Sequence, residues 1–280
     1  MDQLLTYETV IRLGCFLGVF VLMAALEAAL PRRARVAGRG RRWPSNLGLV
    51  ALNSIVVRLV FPLTAMAVAL ASEARGIGLL PWLDLPPWAG VVIAVVLLDL
   101  AIYLQHVLFH AVPALWRLHR MHHADLDFDV TTGLRFHPVE IVLSMGLKLM
   151  VVVALGAPPL AVLVFEVLLN ATALFNHANI RLPAGADRVL RWVMVTPDMH
   201  RVHHSVIPAE TNSNFGFNLP WWDRLLGTYR AQPKAGHEGM TIGIEQFRTP
   251  RDLWLDRMLV QPLRGPASGG ALDIRPDDKR

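Results

Sequence analysis

Four long apolar stretches, residues 11–30, 47–71, 88–112 and 141–175, set the first constraint on this chain. A hydrocarbon layer is about 30 Å thick and a helix rises about 1.5 Å per residue, so about twenty apolar residues span it. Within lipid the backbone must satisfy its own polar groups, which leaves helices or closed barrels. As a helix, residues 88–112 are long enough to exceed that thickness. Hydrophobic residues are 54% of the 280, and the chain reads as an all-α integral membrane helical bundle with a modest soluble portion.

The stretches differ in what interrupts them. Glu27 lies near the end of the first and Arg58 within the second, and a pairing between the two is open. Ala157-Pro158-Pro159 splits the fourth into pieces of about 16 residues, each short for a full span, so a re-entrant or shallow hairpin is expected. Asp2 and Glu8 precede a late-starting first run, which argues against a cleaved signal peptide. Cys15 is the single cysteine; this excludes disulfides and Cys-ligated clusters within one chain. The net charge is +5, but Arg32, Arg33, Arg35, Arg39, Arg41 and Arg42 crowd into one loop between apolar runs. Without an aromatic-interleaved basic surface, that is a topology determinant and not a nucleic-acid site. It places loop 31–45 in the cytoplasm, and parity then brings the end of the 88–112 span back to the same side.

Ten of the eleven histidines fall between His106 and His204. They read His106-x3-His110, His119-x2-His122-His123, lone His137 and His177, then His200-x2-His203-His204. Positions i, i+3 and i+4 share a helix face, and neutral imidazole is the commonest ligand for borderline metals. One metal needs about three or four ligands, so ten suit two ions. Pro113 permits a new helix carrying His119, His122 and His123, and Thr196-Pro197-Asp198 is a helix start ahead of His200, His203 and His204. Parity gathers all ten at one interface, as a histidine-rich helical cap on the cytoplasmic side. A lone histidine on an apolar face is ordinarily a hydrogen-bonded core residue; His137 and His177 gain a ligand reading only from the eight beside them. The His-Glu-x-x-His of zinc peptidases is absent. His237, in the polar tail, is not expected to be a ligand.

These boxes, with an apolar hairpin between the second and third, resemble the fatty acid hydroxylase/sterol desaturase superfamily of membrane di-iron enzymes. The resemblance continues through Leu115–His123, Arg135-Phe136-His137-Pro138, Asn176-His177-Ala178-Asn179, Thr196–His200, Asn212–Gly216 and Trp222–Thr228. It covers roughly residues 46–230. It implies two Fe ions held by His106, His110, His119, His122, His123, His137, His177, His200, His203 and His204, with zinc able to replace iron in overexpressed protein. The implied reaction is O2-dependent hydroxylation or desaturation of a lipid, whether sterol, hopanoid, fatty acyl or related. Reducing equivalents are expected from a separate cytochrome- or ferredoxin-type protein.

Ligating histidines need their other N–H oriented; the candidates are Asp99, Asp125, Glu140, Asn176 and Asp198. Glu140 also fits as a first-turn acid favoured by the helix dipole. Asn212-Ser213-Asn214 reads as Asx-type turns rather than a loop over the site, and Trp221-Trp222 as an interfacial anchor. The expected layout is N-terminal membrane helices over 1–87, a di-iron domain over 88–230 and a polar, loosely packed tail over 231–280. The expected location is a bacterial inner membrane. Two alternatives stand: a zinc-dependent membrane hydrolase or isomerase using the same cage, and a non-enzymatic metal carrier, which would spread its ligands along a midplane path.

Overall fold

In the computed structural model, residues 2–270 are described. Nine helices build the membrane part and the cap: α1 (Asp2–Ala29), α2 (Arg39–Val60), α3 (Ala65–Glu73), α4 (Pro87–Ala111), α5 (Pro113–His123), α6 (Pro138–Leu155), α7 (Pro159–Asn176), α8 (Ala184–Leu190) and α9 (Pro197–His203). Among the described residues no strand forms; two isolated bridges, Pro31 with Ile180 and Ser205 with Ile242, are the only β pairing. Proline opens α4, α5, α6, α7 and α9, where its missing N–H costs nothing and its fixed φ suits the first turn.

Among the described residues, five helical segments are long and apolar enough to cross a membrane: Thr6–Ala29, Arg39–Glu73, Pro87–Ala111, Pro138–Leu155 and Pro159–Asn176. The chain is an integral membrane protein of helices. α4 packs on α6 and α7, α3 on the same pair, α1 on α7 and α2 on α6. Small side chains at the centre, Ala65, Ala69, Ala94 and Ala161, let these helices approach closely around Leu98, Val152 and Phe165. Leucines and valines such as Leu17, Val21, Leu59, Val92 and Leu168 point outward. Exposed Trp82 and Trp88 mark one end of the bundle and exposed Trp192, Trp221 and Trp254 the other, as interfacial indoles do.

Several expectations change here. The second apolar stretch is broken after Val60 by Phe61–Thr64, and Thr64 caps the short α3 that follows. Arg39, Arg41 and Arg42 belong to α2 and not to a loop. Glu27 pairs with Arg39 at 3.0 Å, while Arg58 is exposed; Glu27 also accepts the N–H groups of Val130 and Asn179. The α6–α7 hairpin is no shallow dip. Its turn reaches the loop before α4, where Leu79 N–H donates to Ala154 O. A Cβ on Gly78 would stand 2.0 Å from Gly156 N, and Gly156 has φ 61°; only glycine allows that closeness and that conformation.

The tail is ordered over its described part. Met240, Ile242, Ile244, Leu253 and Met258 are buried, and the helix Leu255–Val260 (residues 255–260) packs on α2. Buried Arg120 of α5 gathers the carbonyls of Gln261, Arg264 and Pro266, so residues 261–270 strap the cap. The tail's last ten residues, 271–280, lie outside the described residues.

Candidate metal centre

α4 ends and α5 begins across a single residue, Val112, which serves as cap for both. That tight turn brings His106 and His110 of α4 against His119, His122 and His123 of α5. α7 ends at His177, and α9 runs into His204. Thr196 starts α9 by accepting the Met199 N–H, one of the four donors a helix start leaves open.

The result is two histidine groups. His106, His110, His119, His123 and His203 form one, and His122, His177, His200 and His204 the other; within each, the ligand nitrogens lie within 4.8 Å of one another. All nine are buried, none more than 5% exposed.

Hydrogen bonds on the outer side fix which nitrogen faces in. Nδ1 of His106 donates to Phe215 O at 2.8 Å, that of His203 to Ser213 O at 2.7 Å, and that of His177 to Ala173 O at 2.8 Å. His119 Nδ1 donates to the Glu140 carboxylate at 2.6 Å, and His110 Nδ1 to Asn212 Oδ1 at 3.0 Å. A neutral imidazole carries one proton, so each corresponding Nε2 is a bare lone pair. Yet Nε2 of His106 lies 3.1 Å from Nε2 of both His119 and His203. Two acceptors at that distance repel unless a cation stands between them. Metal–nitrogen bonds of about 2.0–2.1 Å put ligand nitrogens up to about 4.2 Å apart, so the groups need only small adjustment. Further buried nitrogens without a hydrogen-bond partner, His110 Nε2 and both ring nitrogens of His204 among them, fit the same test.

Burial, followed by the crowding of neighbouring imidazoles, holds His122, His123, His200, His203 and His204 well below the usual histidine range. Neutral at any ordinary pH, they are ready to ligate.

His137 stands apart from both groups. Its Nδ1 accepts the Val139 N–H, capping α6, and its Nε2 donates to Leu259 O at 3.2 Å. Of the five candidate orienting residues, Glu140 alone is in hydrogen-bond contact with a clustered histidine. Asp99 accepts the N–H groups of Asn218 and Leu219 and of the Trp222 indole, so it anchors the loop that carries Phe215. Trp222 therefore turns inward, while Trp221 stays exposed. Asn176 donates to Phe217 O on the same loop. Asp125 is gripped by Arg42 at 2.6 and 2.7 Å; burial opposes its charge, the guanidinium outweighs that, and its carboxyl falls to about 2. Asp198 pairs with Arg201 and Arg32.

Reading residues 212–214 as turns alone missed their function. Asn212 and Ser213 hold His110 and His203, and Asn214, at φ 53°, donates to Met199 O and Arg230 O. Asp223 then accepts the N–H groups of Phe215 and Gly216; burial pushes its carboxyl up to about 6. The loop lies over the cage.

A cavity of about 360 Å³ opens onto the first group, lined there by His106, His119, Glu140, Phe109 and Phe136. From the metal end it runs between α1, α2, α4, α6 and α7 into the membrane part. The arrangement can bind two metal ions and offer one of them to an apolar molecule arriving from lipid.

A family model described as fatty acid hydroxylase matches residues 91–228. The chain is similar to an ornithine lipid hydroxylase of Rhizobium tropici, 34% identical over 58% of this chain and 48% of that protein. It is similar to alkylglycerol monooxygenase of Xenopus tropicalis, 30% identical over 53% of this chain and 32% of that one. Cholesterol 25-hydroxylase of Homo sapiens is 30% identical over 62% of each. The chain thus spans about half or less of the first two and under two thirds of the third. No solved structure matches it.

Proposed function

This chain belongs to the fatty acid hydroxylase/sterol desaturase superfamily, and from that premise we propose that it is a non-haem di-iron oxygenase that hydroxylates a membrane lipid. The observation that carries the reading is the pair of histidine groups whose bare Nε2 atoms converge beside a cavity leading into the membrane part. Nine histidines are the proposed ligands: His106, His110, His119, His123 and His203 for one iron, His122, His177, His200 and His204 for the other. Zinc is the competitor that the same nitrogens accept.

Bound iron supplies what no side chain can, the activation of O2 against an unactivated C–H bond. One oxygen atom enters the C–H bond and the other leaves as water, which consumes two electrons and two protons. The protein's part is geometric. Phe215, Ser213, Ala173, Asn212 and Glu140 aim the imidazoles, and the Glu140 carboxylate makes His119 a more basic ligand. Phe109 and Phe136 keep the approach to the first group apolar and dry.

The named relatives act on an ornithine lipid, an alkylglycerol and cholesterol; a lipid substrate and O2 are common to the reading. Hydroxylation is preferred to desaturation because those relatives are hydroxylases and monooxygenases. The arginines from Arg32 to the first turn of α2 favour a metal end on the cytoplasmic side; the proposed location is a bacterial inner membrane, with electrons delivered by a separate cytochrome- or ferredoxin-type donor.

The test compares lipid extracts from cells with and without the gene, in air and under nitrogen. A lipid that gains one oxygen atom only with the gene and O2 supports the oxygenase. An O2-independent change in lipid would instead support a zinc hydrolase or isomerase in the same cage.

A further inference from the structure

The cavity beside the first histidine group does not end in hydrocarbon. Away from His106, His119 and Glu140 its lining includes Arg12, Lys148 and Glu166. Eight residues of α6 separate Glu140 from Lys148, ~12 Å along the axis. Lys148 is ten residues into α6, ~15 Å from the metal end and close to the middle of a ~30 Å hydrocarbon layer. Glu166, 2% exposed, lies between two cations: Lys148 donates to one carboxylate oxygen, and Arg12 Nη1 is 3.0 Å from the other. Arg12 also donates to Glu8 at 2.8 Å. On the same cavity wall Gln105 Nε2 donates to Ser144 Oγ at 2.5 Å, leaving Gln105 Oε1 buried without a partner. Most of the remaining lining is apolar, with Phe16, Val57, Ile102, Met145 and Leu169, beside polar Asn53, Ser54 and Asn170.

Helix docking does not require these charges. α1 is already seated near α7 by Phe16, Phe20, Met23 and Leu174, and apolar replacement of a buried ion pair is often neutral or stabilising. Charge inside a membrane is costly and by default marks a functional site. The cluster is balanced, two cations against two carboxylates, so a charged ligand would find no unpaired partner. Its spare capacity is for neutral hydrogen bonding. Lys148 has three N–H donors, the Ser144 hydroxyl still has a proton to give, and Gln105 Oε1 is free to accept one.

We propose, building on the lipid-oxygenase reading, that Lys148, Gln105 and Ser144 form a subsite for a neutral hydroxyl on an otherwise apolar substrate. Ser144 and Lys148 stand one and two turns of α6 from Glu140, ~6 and ~12 Å along the axis, so the hydroxyl sits within that range and a carbon about 6–12 Å from it is presented to the first histidine group. The subsite thereby sets which carbon is oxidised.

The test uses the metal-loaded full chain in detergent. Binding of dodecan-1-ol, dodecane, dodecanoate and dodecylamine is read from the rise in unfolding midpoint with probe concentration. The alcohol should bind about tenfold more tightly than the alkane, and Lys148→Met should erase that preference with metal content unchanged. The double variant Gln105→Leu/Ser144→Ala leaves the ion cluster intact, should erase it too, and decides the matter if Lys148→Met does not fold. Equal binding of alcohol and alkane by the wild type overturns the subsite, as does a preference that survives the double variant. Tighter binding of dodecanoate or dodecylamine also overturns it, since the cluster would then read charge. An intact preference in a protein that oxidises no lipid upholds the subsite and sinks the oxygenase reading.

Discussion

The two histidine groups draw on the same helices, α5 and α9, yet they are held differently. In the first, four of five outer nitrogens are engaged: those of His106, His110, His119 and His203. In the second only His177 is so held, while Nδ1 of His122, His200 and His204 has no protein partner. The first group also supplies His106 and His119 to the cavity, which no member of the second lines. On the proposed reading, the ligands nearest the cavity are oriented by the protein itself, and the other group would rely more on a bound metal for order.

Removing a ligand from each side breaks the comparison most severely. His203→Ala should empty the first site and His122→Ala the second, and each should abolish lipid oxidation; metal analysis together with a lipid assay checks both. Loss of one ion in H122A and of both in H203A would sharpen the picture to a second site that leans on the first. Arg42→Met is the control that should strike both groups alike. It leaves Asp125 buried and unpaired just after α5, a loss of about 3–5 kcal/mol visible as a fall in Tm.

Glu140→Gln should discriminate. By weakening the hold on His119 it is expected to cost about 10–100-fold in affinity at the first site and nothing at the second, measured by chelator competition. Acid separates loaded from metal-free protein. Folded pKa values of His122, His123, His200, His203 and His204 lie well below the ordinary 6.5, so the unfolded chain binds more protons once the pH drops under that value. Stability of the metal-free protein is therefore full above 6.5 and lost progressively below it; denaturation series at several pH values should show this slope. Thr196→Ala, the smallest change, removes the α9 cap for about 1 kcal/mol and should loosen the second group more, because His200 lies nearest the frayed end.

Much of this was legible because it is local. Box spacing put His119, His122 and His123 on one face, and Thr196-Pro197 announced α9 before any coordinate. What escaped was long-range. Nothing near Arg42 announces that its partners, Asp125 and Asp129, lie more than eighty residues away, so a buried ion pair was counted among the arginines of a topology-setting loop. His137 and His177 look alike as lone histidines; the former precedes a helix-opening proline and caps it, while the latter ends α7 facing the cage. The tail hid its order because its buried residues join different clusters, Met240 and Ile242 with Phe128 and Met258 with Leu49 and Met121, and so share no period. Glu140 was found by chemistry, its carboxylate being the kind of group a ligating imidazole needs behind it.

The central claim is a two-ion cage, and metal content tests it most directly. Full-length protein purified from iron-supplemented cells is predicted to carry two irons per chain, and fewer in His122→Ala and His203→Ala. One metal or none in well-folded wild-type protein would contradict the account.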